Sequence, residues 1–144
     1  MSELRGFERS LPMALMRARE AVMQQFRPAL KSHDISEQQW RVLRALTADE
    51  RAKSVGELAD ETFLLGPSLS RMLVTLEERG LIARAADESD GRRFEIVATR
   101  LGFDLVATIA PISEARYDWI EQQLGAADLE RLYILLERVA ALRS

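Results

Sequence analysis

The stretch from Ser54 to Ala98 carries an order of local signals that few folds accommodate. Ser54-Val55-Gly56-Glu57 is a capping box, in which the hydroxyl and the carboxylate satisfy each other's free amides, and it opens a short helix ending near Thr62. After Phe63-Leu64-Leu65, Gly66-Pro67 begins another helix with proline at or near its first position, where a missing N–H costs little. In that helix Leu69, Met72, Leu73 and Leu76 recur at i, i+3, i+4 and i+7, a stripe that must be buried. Gly80 stops it with a left-handed residue. Two short strands, Leu81–Arg84 and Phe94–Val97, then bracket the polar loop 87–93.

Helices flank this segment on both sides. From Ser10 to about Lys31, Leu11, Leu15, Ala18, Val22, Phe26 and Leu30 fall close to helical period. Pro12 is comfortable in the first turn, whereas Pro28 is expected to end or bend the helix near Phe26-Arg27. A second capping box, Ser36 with Gln39, opens a helix carrying Trp40, Leu43 and Leu46 on one face. The charged segment 49–53 reads as a loop. Two further helices are expected, from about Thr99 to Gln123 with Pro111 kinking it, and from about Ala126 to Leu142. The fold class is mainly α with a small β-wing. A winged helix-turn-helix lobe (35–98) is flanked by N- and C-terminal dimerisation helices (1–34 and 99–144) within one unit of 144 residues.

Composition removes whole classes of function. With no cysteine, disulfides, thiol nucleophiles and cysteine redox switches are excluded. His33 is the single histidine, no serine sits in a nucleophile elbow, and no catalytic constellation or metal site is expected, nor any cofactor. No run reaches the ~18 apolar residues of a membrane span, and the first residues have no signal-peptide core, so no membrane partner and a cytoplasmic location are expected.

The helix at 67–79 presents small hydroxyls and one arginine opposite its leucine stripe. Pro67, Ser68, Ser70, Arg71 and Thr75 are candidate DNA contacts, since hydroxyls and helix-end amides hold phosphates and an arginine reaches guanine or phosphate. At the wing tip, Arg92 and Arg93 suit a narrow minor groove, with Asp90 able to hold such a side chain extended. The net charge of −3, and six arginines balanced by six acids between residues 66 and 100, mean that a DNA-facing edge must separate the signs in space. The alternative is a winged-helix protein–protein adaptor without sequence-specific DNA binding, which would lack a salt-dependent affinity for DNA.

The run Ser68-Leu69-Ser70-Arg71-Met72-Leu73-Val74-Thr75-Leu76-Glu77-Glu78-Arg79-Gly80-Leu81-Ile82, then Asp87-Glu88-Ser89-Asp90-Gly91-Arg92-Arg93 and Ala98-Thr99-Arg100-Leu101-Gly102, resembles the multiple-antibiotic-resistance regulator (MarR) family. These segments are similar to its recognition helix and first strand, its D-x-x-D-x-R wing and its L-T-x-x-G helix start. The resemblance implies a homodimer with interlocking terminal helices, a palindromic double-stranded operator, and repression relieved by small aromatic acids. Segments 18–28 and 36–42 resemble the subgroup that controls homoprotocatechuate (4-hydroxyphenylacetate) degradation. Gly125-Ala126-Ala127 and Pro111 depart from the family pattern, both in the dimer helices.

A dimer also follows from the residues alone. Ile109, Ile112, Trp119, Ile120, Leu132, Leu135 and Leu136, among others, exceed what a lobe of this size can bury. In the family, effectors sit between dimer helices and DNA-binding lobe. Here that crevice is expected to be lined by Met13, Arg17, Ala21, Trp40 and Arg41, with His33 adding a hydrogen bond. An arginine beside an aromatic wall suits an aryl carboxylate.

Overall fold

The computed structural model describes residues 2–86 and 94–144. After a 3-10 turn at Phe7–Arg9, the elements run α1 (Leu11–Ser32), α2 (Glu37–Ala48), β1 (Lys53–Ser54), α3 (Val55–Thr62), α4 (Gly66–Glu78), β2 (Ile82–Ala86), β3 (Phe94–Ala98), α5 (Arg100–Leu124) and α6 (Ala126–Ala140). The chain divides into two compact units, residues 1–110 and 111–144.

In the first unit, helix starts follow their caps. Ser36 accepts the Gln39 N–H at 3.1 Å while its own N–H donates to Gln39 Oε1 at 3.0 Å. Ser54 and Glu57 repeat the arrangement for α3. Helix α1 continues past Pro28 to Ser32, close to the Lys31 limit expected from the spacing, so it does not end near Phe26-Arg27, the one alternative the structure excludes. The proline's missing hydrogen bond is outweighed by what flanks it. Phe26 and Leu30 are buried, and Arg27 is held by Glu20 and Glu37.

The leucine stripe of α4 packs as the spacing requires: Leu69, Leu73 and Leu76 lie in the core with Val42, Leu43 and Leu46 of α2, Leu58 of α3, Ile82 and Ile96 of the sheet, and Ile109 of α5. The sheet has three strands in the order β1-β3-β2, both pairs antiparallel. Strand β2 pairs with β3 from Ile82 opposite Ala98 to Ala86 opposite Phe94. Sequence reading gave a two-strand ribbon, and β1 was hidden in the charged loop. Lys53 within it is 3% exposed; its Nζ donates to Ala45 O at 2.9 Å and to Glu61 Oε2 at 2.7 Å. The Glu61 bond holds its ammonium above the ordinary lysine range despite burial.

Gly80 takes a left-handed φ of 73°, which ends α4 and turns the chain into β2. Gly102 is needed for a different reason: a Cβ there would collide with the carbonyl oxygen of Leu81. Helix α5 runs through Pro111, and the division between units falls at that residue. In the second unit, α6 follows Gly125 (φ 85°), which supplies no side-chain cap. None of the residues of α6 is buried within the chain, and Ile134 and Leu135 are about half exposed. Among the described residues, no helix is long and apolar enough to cross a membrane.

Candidate nucleic-acid interface

Burying Leu69, Leu73 and Leu76 dictates what α4 turns outward. Pro67, Ser70, Arg71 and Thr75 are exposed together. Ser68 is half-buried at the edge of the core, because it lies one turn before Met72, which packs against the core on that side of the leucine stripe. Val74, which sequence reading passed over, stands on the exposed face, 46% accessible. Thr75 Oγ1 donates back to the Arg71 carbonyl at 3.3 Å, keeping its lone pairs for a partner. Glu77 is drawn aside by Arg84 at 3.4 Å, which takes one of the acids near this face towards β2. Asp90, Arg92 and Arg93 lie outside the described residues.

The helix-turn-helix is tied to the elements behind it at its turn and at its C-terminal end. Arg41 of α2 donates through Nη1 to the Thr62 carbonyl at 2.7 Å, satisfying an open acceptor at the end of α3. Arg79, just after α4, donates to the carbonyls of Asp34 at 2.6 Å and His33 at 3.4 Å in the turn after α1. Neither arginine stood out in the sequence as an anchor. Their partners are backbone carbonyls 21 and 45 positions away for the shorter contacts.

Between α1 and α2, Glu37 gathers three guanidinium groups: Arg19, Arg27 at 3.1 Å and Arg41 at 2.8 Å. Partial burial pushes its carboxyl up, but hydrogen bonds from Arg19 and Arg27 and the charges of Arg19 and Arg41 bring it below the ordinary glutamate range. Arg27 also binds Glu20, whose carboxyl it lowers.

Of the residues expected to contact an effector, the chain brings together three. Met13, Arg17 and Ala21 line a groove of about 450 Å³ with Met16, Arg19, Glu20 and Gln24. The other three are engaged elsewhere. His33 Nδ1 lies 2.9 Å from the Ala29 carbonyl, Trp40 packs against the core, and Arg41 spans Glu37 and Thr62. A second cavity, of about 720 Å³, lies beside Gln24, Arg27, Leu30, Ile35 and Glu37. Among the described residues, no group of three or more histidine, aspartate or glutamate side chains is arranged to hold a metal ion.

A buried stripe, a hydroxyl-and-arginine face, and a three-stranded wing base are what a DNA-reading winged helix requires, and known proteins share this arrangement. Residues 33–93 match the MarR family model. The homoprotocatechuate degradative operon repressor of Escherichia coli is 38% identical over 133 residues, covering 92% of this chain and 89% of the repressor. The crystal structure of NadR in complex with 4-hydroxyphenylacetate superposes with a TM-score of 0.84 at 34% identity, covering 99% of this chain and 100% of NadR. The transcriptional repressor CouR, bound to a 23-mer DNA duplex, gives a TM-score of 0.83 at 30% identity, with 96% of this chain and 99% of CouR covered. The chain belongs to the MarR family of winged-helix transcriptional regulators.

Proposed function

We propose that the chain is a homodimeric repressor that holds a palindromic operator through α4 and the wing and releases it on binding a small aromatic carboxylate. The observation that carries this reading is the exposed face of α4, where Arg71 makes no ion pair among the described residues while three buried leucines hold the helix in place. CouR, of the same fold, binds a DNA duplex as a repressor, which supports the same role for this face. The family and the relatives are regulators rather than enzymes, and we assign this chain to the same class.

Dimerisation accounts for the second unit. Helix α6 exposes Leu132, Tyr133, Ile134, Leu135 and Leu136, and a second copy of the chain is the natural cover for them. For the effector, NadR binds 4-hydroxyphenylacetate, and the E. coli relative represses an operon for degrading a closely related aromatic acid. Within this chain, Arg17 supports the same chemistry. It lines the α1 groove, donates only to the Glu8 carbonyl at 3.3 Å, and has no carboxylate partner among the described residues. Arg19, Arg27 and Arg41, in contrast, are already paired with glutamates.

The test is fluorescence anisotropy with DNA from upstream of the chain's own gene, titrated first with salt and then with 4-hydroxyphenylacetate. Tight binding that weakens steeply with salt, with a slope shallower by about 1 in Arg71→Ala, is the expected result. Release by the aromatic acid completes the proposal. Salt-independent or absent binding would return the chain to the adaptor class.

A further inference from the structure

We propose that Phe63 and Leu65, at the corner of the helix-turn-helix, are specificity residues that pack against thymine methyl groups in the major groove. This rests on the DNA-binding role proposed above. Phe63 adopts a left-handed backbone (φ 57°, ψ 32°) at the end of α3, a conformation that disfavours bulky side chains. It nevertheless holds a phenyl ring 89% exposed. Leu65, two residues on, is 78% exposed and occupies the N-cap of α4 without capping it. The N-caps of α1, α2 and α3 are serines whose hydroxyls accept an amide of the first turn. Leucine at the α4 cap forgoes that stabilisation. Leu64, between the two, packs against the core. The turn therefore anchors its middle residue and displays an apolar side chain on either side.

Neither local stability nor folding explains an exposed phenylalanine and leucine here, whereas a binding partner does. The pair directly precedes Pro67, Ser70, Arg71 and Val74 in the chain, and all six are exposed, which is what a surface extending the face assigned to DNA requires. The apolar feature of the major groove is the C5-methyl of thymine, which aromatic and aliphatic side chains recognise by contact. Val74, on the same helix face, extends the apolar surface one turn further.

The experiment selects bound duplexes from a randomised library with the wild-type protein, then remakes the selected duplex with uracil replacing thymine at one position at a time. Anisotropy compares wild type, Phe63→Ala, Phe63→Gly and Leu65→Ala on both kinds of duplex. Glycine suits the left-handed backbone and guards against a variant that fails to fold. We expect the wild type to lose about four-fold in affinity per contacted methyl, the effect of one carbon withdrawn from burial. The Phe63 variants should lose a similar amount on the thymine duplex and become indifferent to uracil at one position, with Leu65→Ala indifferent at another. A wild type insensitive to uracil everywhere, or variants equally weakened on both duplexes, would overturn the proposal. A variant that instead changes oligomeric mass would assign the patch to a protein contact and also overturn it. Failure of the wild type to select any duplex is a separate result, which removes the DNA-binding reading itself.

Discussion

Arg41 donates to the carbonyl oxygen of Thr62 at 2.7 Å, from a guanidinium that also reaches Glu37 at 2.8 Å. One side chain thus joins the α1–α2 charge cluster to the last residue of α3, immediately before the turn that leads into α4. The guanidinium can do this because its donors are spread over a rigid fork; an ammonium is a point charge on a flexible stem. Arg41→Ala should lower unfolding free energy by about 1–2 kcal/mol, the usual range for a charge-assisted hydrogen bond that is partly exposed. Arg41→Lys should recover less than half of that. Urea denaturation at pH 7 measures both, and operator affinity should fall with them if the α3 end positions the turn.

Gly102→Ala tests the join between the wing and α5. Thr99 Oγ1 donates to the Gly80 carbonyl and accepts the Gly102 N–H at 3.1 Å, and the Thr99 N–H donates to Leu81 O at 3.1 Å. The strand start and the helix start are therefore laced together where no Cβ fits. The clash is with backbone, which cannot rotate away as a side chain can. A loss of about 2–3 kcal/mol is expected in thermal or urea unfolding, at the upper end of overpacking effects. A neutral result would mean that the Leu81 carbonyl moves freely.

These local joins also mark how far the sequence could be read. The Ser36–Gln39 and Ser54–Glu57 boxes, the α4 leucines and the Gly80 stop were legible because each is decided by residues within a turn or two. Strand β1 was not. Lys53 and Ser54 become a strand only by pairing with Ile96 and Glu95, and nothing near Lys53 signals that its ammonium will be buried. Pro28 left the end of α1 undecided for a related reason: its cost is local, whereas Arg27's two ion pairs and the buried Phe26 and Leu30 favour continuing the helix past it. Candidate effector residues were grouped by helix and chemistry. Arg41 went instead to a backbone carbonyl 21 positions away, a choice set by tertiary distance, while His33 turned back to the Ala29 carbonyl at the end of its own helix. Ser68 was placed opposite the leucine stripe from helical spacing, whereas it lies half-buried at the edge of that stripe.

The Glu37 cluster predicts an acid-sensitive fold. The carboxyl lies below its ordinary value of 4.5 in the folded chain and near that value when unfolded. Between the two, the unfolded state holds more protons, so stability rises with pH across that window. The contribution is full above about pH 4.5 and is lost as pH falls through the lowered folded value. Glu37→Gln should cost about 1–2 kcal/mol at pH 7, because three guanidinium groups lose their shared counter-charge. The gap between wild type and variant should close as urea midpoints are followed from pH 5 downward. A gap constant with pH would show that Glu37 acts through packing rather than charge.

Arg17→Ala separates effector binding from DNA binding. Its guanidinium lies on α1, outside the helix-turn-helix, and among the described residues it makes one hydrogen bond, to the Glu8 carbonyl. Losing that exposed contact should scarcely change stability, and operator affinity should stay within about two-fold of wild type. An aryl carboxylate that relied on this arginine would lose a charge-assisted pair worth about 1.5–3 kcal/mol. The concentration of 4-hydroxyphenylacetate needed for half-release should therefore rise at least ~10-fold. Arg17→Lys should lie between the two, since it keeps the charge and loses the fork. If Arg17→Ala weakens operator binding as much as it weakens release, the arginine supports the fold of α1 against the Phe7–Arg9 turn. The carboxylate must then be sought at the cavity beside Arg27 and Lys31.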